Sequence, residues 1–128
     1  MKGTILLMVG IGGALGSMAR YLIAGWVQPA YWTGFPYGIL IVNVTGGFVM
    51  GLFTEAMALK FHVSPEVRAF LTTGILGGYT TFSTFSLEAG MLIERQAYTQ
   101  AVFYIAGSAL LSVAALFAGF WLMRAVYA

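Results

Sequence analysis

The chain has no cysteine and no aspartate, and its 128 residues include only four glutamates, six lysines or arginines and one histidine. Without cysteine there is no thiolate for zinc or an iron–sulfur cluster, and His62 alone cannot replace one. Charged residues make up 8% of the chain, against about 25% in a soluble domain. So few charges cannot cover a globule of this size, so lipid must be the solvent. The six basic residues are scattered and the net charge is +2. No cluster is present to neutralise several phosphates, which excludes a nucleic-acid partner. Ser–His–Asp and Cys–His sets are missing, as are paired carboxylates on one helix face, so the chain does not read as an enzyme.

What is abundant is apolar: 60% hydrophobic residues, 17 glycines and a mean hydropathy of +0.90. Charge-free intervals run from 3 to 19, 21 to 54, 69 to 87 and 96 to 123. A hydrocarbon core about 30 Å thick needs roughly 20 apolar residues of helix. The second interval is too long for one crossing, and Pro29, Gly34 and Pro36 lie in it amid Trp26, Tyr31, Trp32 and Tyr37. Prolines and aromatics of this kind mark an interfacial turn. The expected architecture is therefore one all-α membrane domain, residues 1–128, with crossings at about 4–24, 36–58, 66–93 and 97–126. The apolar run after Lys2 continues to Arg20 and Tyr21 without a clear cleavage site, so it is read as a retained helix rather than a signal peptide. Four crossings place Lys2, Lys60, Arg68 and Arg124 on one side and Arg20 and Arg95 on the other. That bias is small and permits insertion in both directions.

Gly12 and Gly16, and Gly47 and Gly51, are four apart, the spacing that lets two helix backbones touch. The third crossing differs in kind. Gly74, Gly77 and Gly78 precede Thr80, Thr81, Ser83, Thr84 and Ser86. Glycines beside hydroxyls favour a helix broken at mid-membrane, because Gly lowers helix propensity and Ser and Thr offer freed backbone groups other partners. Such a break requires surrounding protein or a wet cavity, where freed carbonyls bind cations and freed amides bind anions. A Gly/Ser/Thr packing face on an unbroken helix is the alternative.

Phe82 and Phe85 share one face of that helix. They serve core packing, or they present electropositive ring edges to a small anion. Asn43, the sole asparagine, lies roughly 10 Å inside the second crossing at 1.5 Å per residue. It provides donors to an ion or an interhelical hydrogen bond. Tyr104, Ser108 and Ser112 form a polar stripe on the fourth crossing. Arg20 and Glu88 approach the same membrane side, where they pair, or Arg20 snorkels and concentrates anions. Lys60, Glu66, Arg68, Glu94, Arg95 and Arg124 read as solvated anchors at helix ends, with Glu55 on the boundary.

In residue type and spacing, GGALGSMARY (12–21), VNVTGGFVMG (42–51) and GILGGYTTFSTFSLE (74–88) resemble the small bacterial fluoride channels of the Fluc or CrcB type. The resemblance runs the length of the chain. It implies an antiparallel dual-topology homodimer in the bacterial inner membrane that exports fluoride passively. It implies a pore of Asn43, Phe82, Phe85, Ser83, Thr84, Tyr104, Ser108 and Ser112. Arg20 corresponds to a vestibule arginine and Glu88 to the carboxylate after the break. The backbone carbonyls of Gly77 and Thr80 correspond to those holding a structural sodium ion. A small multidrug transporter, also a four-helix dimer, needs an acid in its first helix, where this chain has Arg20. A membrane assembly subunit would leave the polar stripes unexplained.

Overall fold

The computed structural model describes residues 2–28 and 34–127, and every regular element among them is helical. The elements are α1 (Lys2–Val27), α2 (Tyr37–Leu59), α3 (Pro65–Ala69), α4 (Gly77–Tyr79), α5 (Phe82–Glu94) and α6 (Tyr98–Tyr127). A π-helical stretch, Phe70–Leu76, joins α3 to α4. In length and composition α1, α2 and α6 each suit a membrane crossing. The protein is a multi-pass membrane protein. Pro29, Tyr31 and Trp32 of the expected interfacial turn lie outside the described residues.

Local chemistry sets the ends. The Ser64 hydroxyl accepts from the Val67 amide at 3.2 Å, and Pro65 occupies the first helical position of α3. Between α4 and α5 the chain is extended: Thr80 has φ −83° and ψ 157°, Thr81 φ −151° and ψ 126°. The third helix is thus interrupted, at the two threonines that follow the glycines. Gly74 and Gly78 do another job, against α1. A Cβ at Gly78 would sit 2.5 Å from the Gly13 carbonyl, and one at Gly12 would sit 2.6 Å from the Phe70 carbonyl. They let α1 lie directly on the π-helical stretch and α4. The break falls where β-branched threonines tolerate extended backbone and the Thr81 hydroxyl supplies a cap.

A second close crossing joins α2 to α6. A Cβ at Gly47 would lie 2.8 Å from the Ser112 carbonyl, and one at Gly119 would lie 2.5 Å from that of Phe48. Helices this close gain dispersion and weak polar contact, which replace the hydrophobic effect in lipid. The buried core is small, with Ala89, Leu92, Ala101 and Tyr104 at its centre. Large apolar side chains such as Leu6, Phe103, Leu110 and Trp121 face outward, as a lipid solvent allows.

Several charged residues read as solvated anchors have partners. Arg124 pairs with Glu55 at 3.1 Å and lies over the Phe120 ring, while Lys60 lies over Tyr127. Arg95 donates to the Gly34 carbonyl at 2.9 Å. These helix ends carry aromatic rings and a turn carbonyl within reach, which a one-dimensional reading of charge does not reveal.

Candidate functional site

The break is the point from which the site is built. Thr81 is 8% exposed, and its backbone cannot turn to water. Asn43 on α2 answers both of its polar groups: Nδ2 donates to the Thr81 carbonyl at 3.0 Å, and Oδ1 accepts from the Thr81 amide at 2.9 Å. One side-chain amide thus imitates a neighbouring strand. The Thr81 hydroxyl accepts from the Thr84 amide at 3.1 Å and so caps α5. It also pairs with the Ser83 hydroxyl at 3.2 Å.

This arrangement orients two helix ends toward one region. The C-terminal end of α4 carries carbonyls that have lost their partners, since Thr81 gives its amide to Asn43 rather than back to Gly77. The N-terminal end of α5 points its first amides into the same break. By their dipoles the former suits a cation and the latter an anion. The set of groups near the break also includes Thr45, whose hydroxyl donates to the Ile41 carbonyl at 2.7 Å and pairs with the Tyr79 hydroxyl at 2.9 Å. Neither Thr45 nor Tyr79 stood out in the sequence, because nothing in the spacing announces a contact between residues 34 apart.

The expected site residues separate into two cavities. A groove of about 420 Å³ is lined by Asn43, Thr80, Thr81, Phe82, Phe85, Ser108 and Ser112, together with apolar residues and the glycines of α2. Phe82 is 79% exposed, and its ring meets that of Phe85 at 5.4 Å between centroids. The hydroxyls of Ser108 and Ser112 are buried and have no hydrogen-bond partner among the described residues. Buried polar atoms are normally paired, and these two lie on one face of α6.

A larger cavity of about 830 Å³ is lined by Arg20, Thr84 and Glu88 with Ser17, Trp26 and Gln28. Arg20 and Glu88 share this cavity without forming an ion pair; Glu88 accepts instead from the Tyr104 hydroxyl at 3.4 Å. Tyr104 is fully buried behind Phe85, whose ring it meets at 5.2 Å. It thereby stands between the two cavities. Ser83 and Gly77 are exposed and line neither. The Thr80 hydroxyl donates to the Leu76 carbonyl at 2.8 Å, which leaves its own backbone carbonyl, not its side chain, as the group facing the break.

With this geometry in place, likeness to known proteins is informative. Residues 7–120 match the model of the family described as CrcB-like protein, Camphor Resistance (CrcB). The chain belongs to that family. It is 50% identical over 121 residues to the fluoride-specific ion channel FluC of Rhizobium meliloti, covering 94% of this chain and 97% of the relative. The protein of the same name from Caulobacter vibrioides is 48% identical over 124 residues, covering 96% and 98%. That from Nitrobacter winogradskyi is 47% identical over 130 residues, covering 98% and 100%. The family's named members are ion channels, and on that ground the chain is not an enzyme.

Proposed function

We propose that the protein is a fluoride-selective channel that lets fluoride leave a bacterial cell passively across the inner membrane and so limits its toxicity. The observation that carries this reading is the groove in which Asn43, two phenylalanine rings and two buried, unpartnered serine hydroxyls converge without a single charge. Fluoride holds its water tightly, so a path for it must replace several hydration bonds together. Hydroxyl and amide donors do this without the tight hold of a fixed cation. Ring edges add electropositive C–H groups that exclude water. Arg20 in the larger cavity raises the local anion concentration at the entrance. From there Thr84, Glu88 and Tyr104 lead to Phe85 and the groove, with Ser83 at the turn of the break.

The functional unit in this reading is an antiparallel homodimer of four-crossing subunits, in which α3, the π-helical stretch, α4 and α5 together make the third crossing. Its support is that Phe82 stands out from the face of one chain beside a groove open on that face. A second copy inserted the other way covers both. The basic residues divide as four against two between the ends, weak enough for dual insertion.

A structural sodium ion fits the donor chemistry of the break. The Gly77 and Thr80 carbonyls are hard oxygen donors at a helix C-terminal end, and Thr81 does not occupy them. When bound, sodium supplies positive charge that satisfies carbonyls lipid cannot. Asn43 holds Thr81, the residue that follows them.

Purified protein in liposomes tests the function: fast fluoride efflux with negligible chloride efflux is expected, and absence of fluoride efflux from properly assembled protein overturns it. A topology reporter fused to the chain is expected to score on both sides of the membrane. A single orientation contradicts the antiparallel dimer.

A further inference from the structure

The connection between α1 and α2 contains a phenylalanine, Phe35, that none of the proposed pathway residues includes. At an interfacial turn an aromatic ring ordinarily faces the headgroups. Phe35 instead packs inward on the cluster of Ala89, Leu92, Ala101 and Tyr104. Its ring meets that of Tyr104 edge-on, at 5.6 Å and 89°. Tyr104 therefore has two phenylalanine neighbours, Phe35 from the turn and Phe85 from α5.

The backbone around Phe35 is held by more bonds than a plain connection needs. Gln28 at the end of α1 donates from Nε2 to the Phe35 carbonyl at 3.2 Å and accepts through Oε1 from the Gly38 amide at 3.1 Å. Arg95, in the turn before α6, donates to the Gly34 carbonyl at 2.9 Å. Side chains from two other segments thus fix both flanks of one ring. Pro36 follows it directly, is buried, and restricts the backbone further.

The reason to fix that ring lies in Tyr104. Its hydroxyl reaches Glu88 at 3.4 Å, a long bond that steers the ring weakly. Packing must hold the ring where the bond does not. We propose that Phe35 is a positioning residue of the anion pathway: it backs Tyr104, and through Tyr104 it seats the Phe85 ring and keeps the hydroxyl on Glu88, between the two cavities. The inference rests on the channel reading and adds to it a residue that touches neither cavity.

The test is a mutant cycle on fluoride efflux from liposomes, with size-exclusion elution as the check on assembly. The worth of one aromatic pair converts to roughly a 2- to 12-fold loss of flux for Phe35→Leu, with unchanged elution. Phe35→Trp keeps an aromatic partner for Tyr104 and is expected to retain flux within roughly 2-fold. In a Tyr104→Leu background the ring has nothing to position, so adding Phe35→Leu changes flux by less than about 1.5-fold. Gln28→Leu releases the Phe35 carbonyl while sparing its apolar contacts. It is expected to lower flux in the same direction and to lose that effect with Tyr104→Leu, and it replaces Phe35→Leu in the cycle if that variant aggregates. Equal losses in the two backgrounds, or no loss in either single variant, overturn the positioning role while wild-type flux leaves the channel reading intact. A well-assembled wild type that releases no fluoride overturns both.

Discussion

Replacing Asn43 by alanine removes both hydrogen bonds to Thr81 at once, at 3.0 and 2.9 Å. Interhelical hydrogen bonds in membrane proteins contribute about 0.6 kcal/mol on average and up to about 1.7, which puts two of them at about 1–3 kcal/mol. Thr81 is 8% exposed, so its amide and carbonyl find no water in the variant. Each orphaned group adds on the order of 1 kcal/mol or more. The sum for Asn43→Ala is about 3–5 kcal/mol. Asn43→Asp separates the two halves. An ionised carboxylate still accepts from the Thr81 amide but meets the Thr81 carbonyl without a donor, so part of the stability is kept and the extended segment is turned. Equilibrium unfolding in mixed detergent micelles measures the loss, and amide hydrogen exchange at Thr81 locates it. A loss below about 0.5 kcal/mol for Asn43→Ala, with Thr81 exchange unchanged, would refute the clamp, because two partly buried bonds to one residue cannot vanish at so small a cost.

Ser108→Ala and Ser112→Ala delete hydroxyls that have no partner among the described residues, so unfolding is expected to show stability unchanged or raised by up to about 1 kcal/mol while liposome fluoride flux falls. A loss of stability with full flux reverses that assignment. Phe82→Ile is expected to leave the stability of the isolated chain within about 0.5 kcal/mol because the ring is largely exposed, while Phe85→Ile costs about 1 kcal/mol through Tyr104; both depress fluoride flux in the same liposome assay. Gly16→Ala places a Cβ against the Ile75 carbonyl and the Tyr79 amide and is expected to destabilise the fold, whereas Gly107→Ala meets open space and gains up to about 1 kcal/mol of helix propensity. Thermal unfolding of the two variants side by side checks the difference.

Membrane character was legible from composition, because the absence of charge leaves little alternative to lipid. The glycine pairs pointed correctly to close helix contacts, as Gly12 against the Phe70 carbonyl and Gly47 against Ser112 now illustrate. The interruption of the third helix was readable to within the run of glycines and hydroxyl residues, but not to the residue. Glycines and threonines are adjacent in the chain, and tertiary contact with α1 decides that Gly74 and Gly78 stay helical while Thr80 and Thr81 extend. The π-helical stretch at Phe70–Leu76 has no periodicity that distinguishes it beforehand. Asn43 was recognisable as a polar residue inside a crossing, and a partner was among its readings, but the identity of Thr81 as that partner depends on how α2 meets the break. Gln28, Phe35 and Arg95 were invisible as a group because they come from three segments joined only by folding.

The central claim is that a path lined by neutral donors conducts fluoride passively and selectively. Its most direct measurement is the reversal potential across a planar bilayer containing the purified protein, with a fluoride gradient and symmetric chloride and pH. The account predicts a reversal potential near the fluoride equilibrium value, about 59 mV for each tenfold gradient, unmoved when a chloride gradient replaces symmetric chloride. A potential that follows chloride or pH instead, or no fluoride current from well-assembled protein, contradicts it.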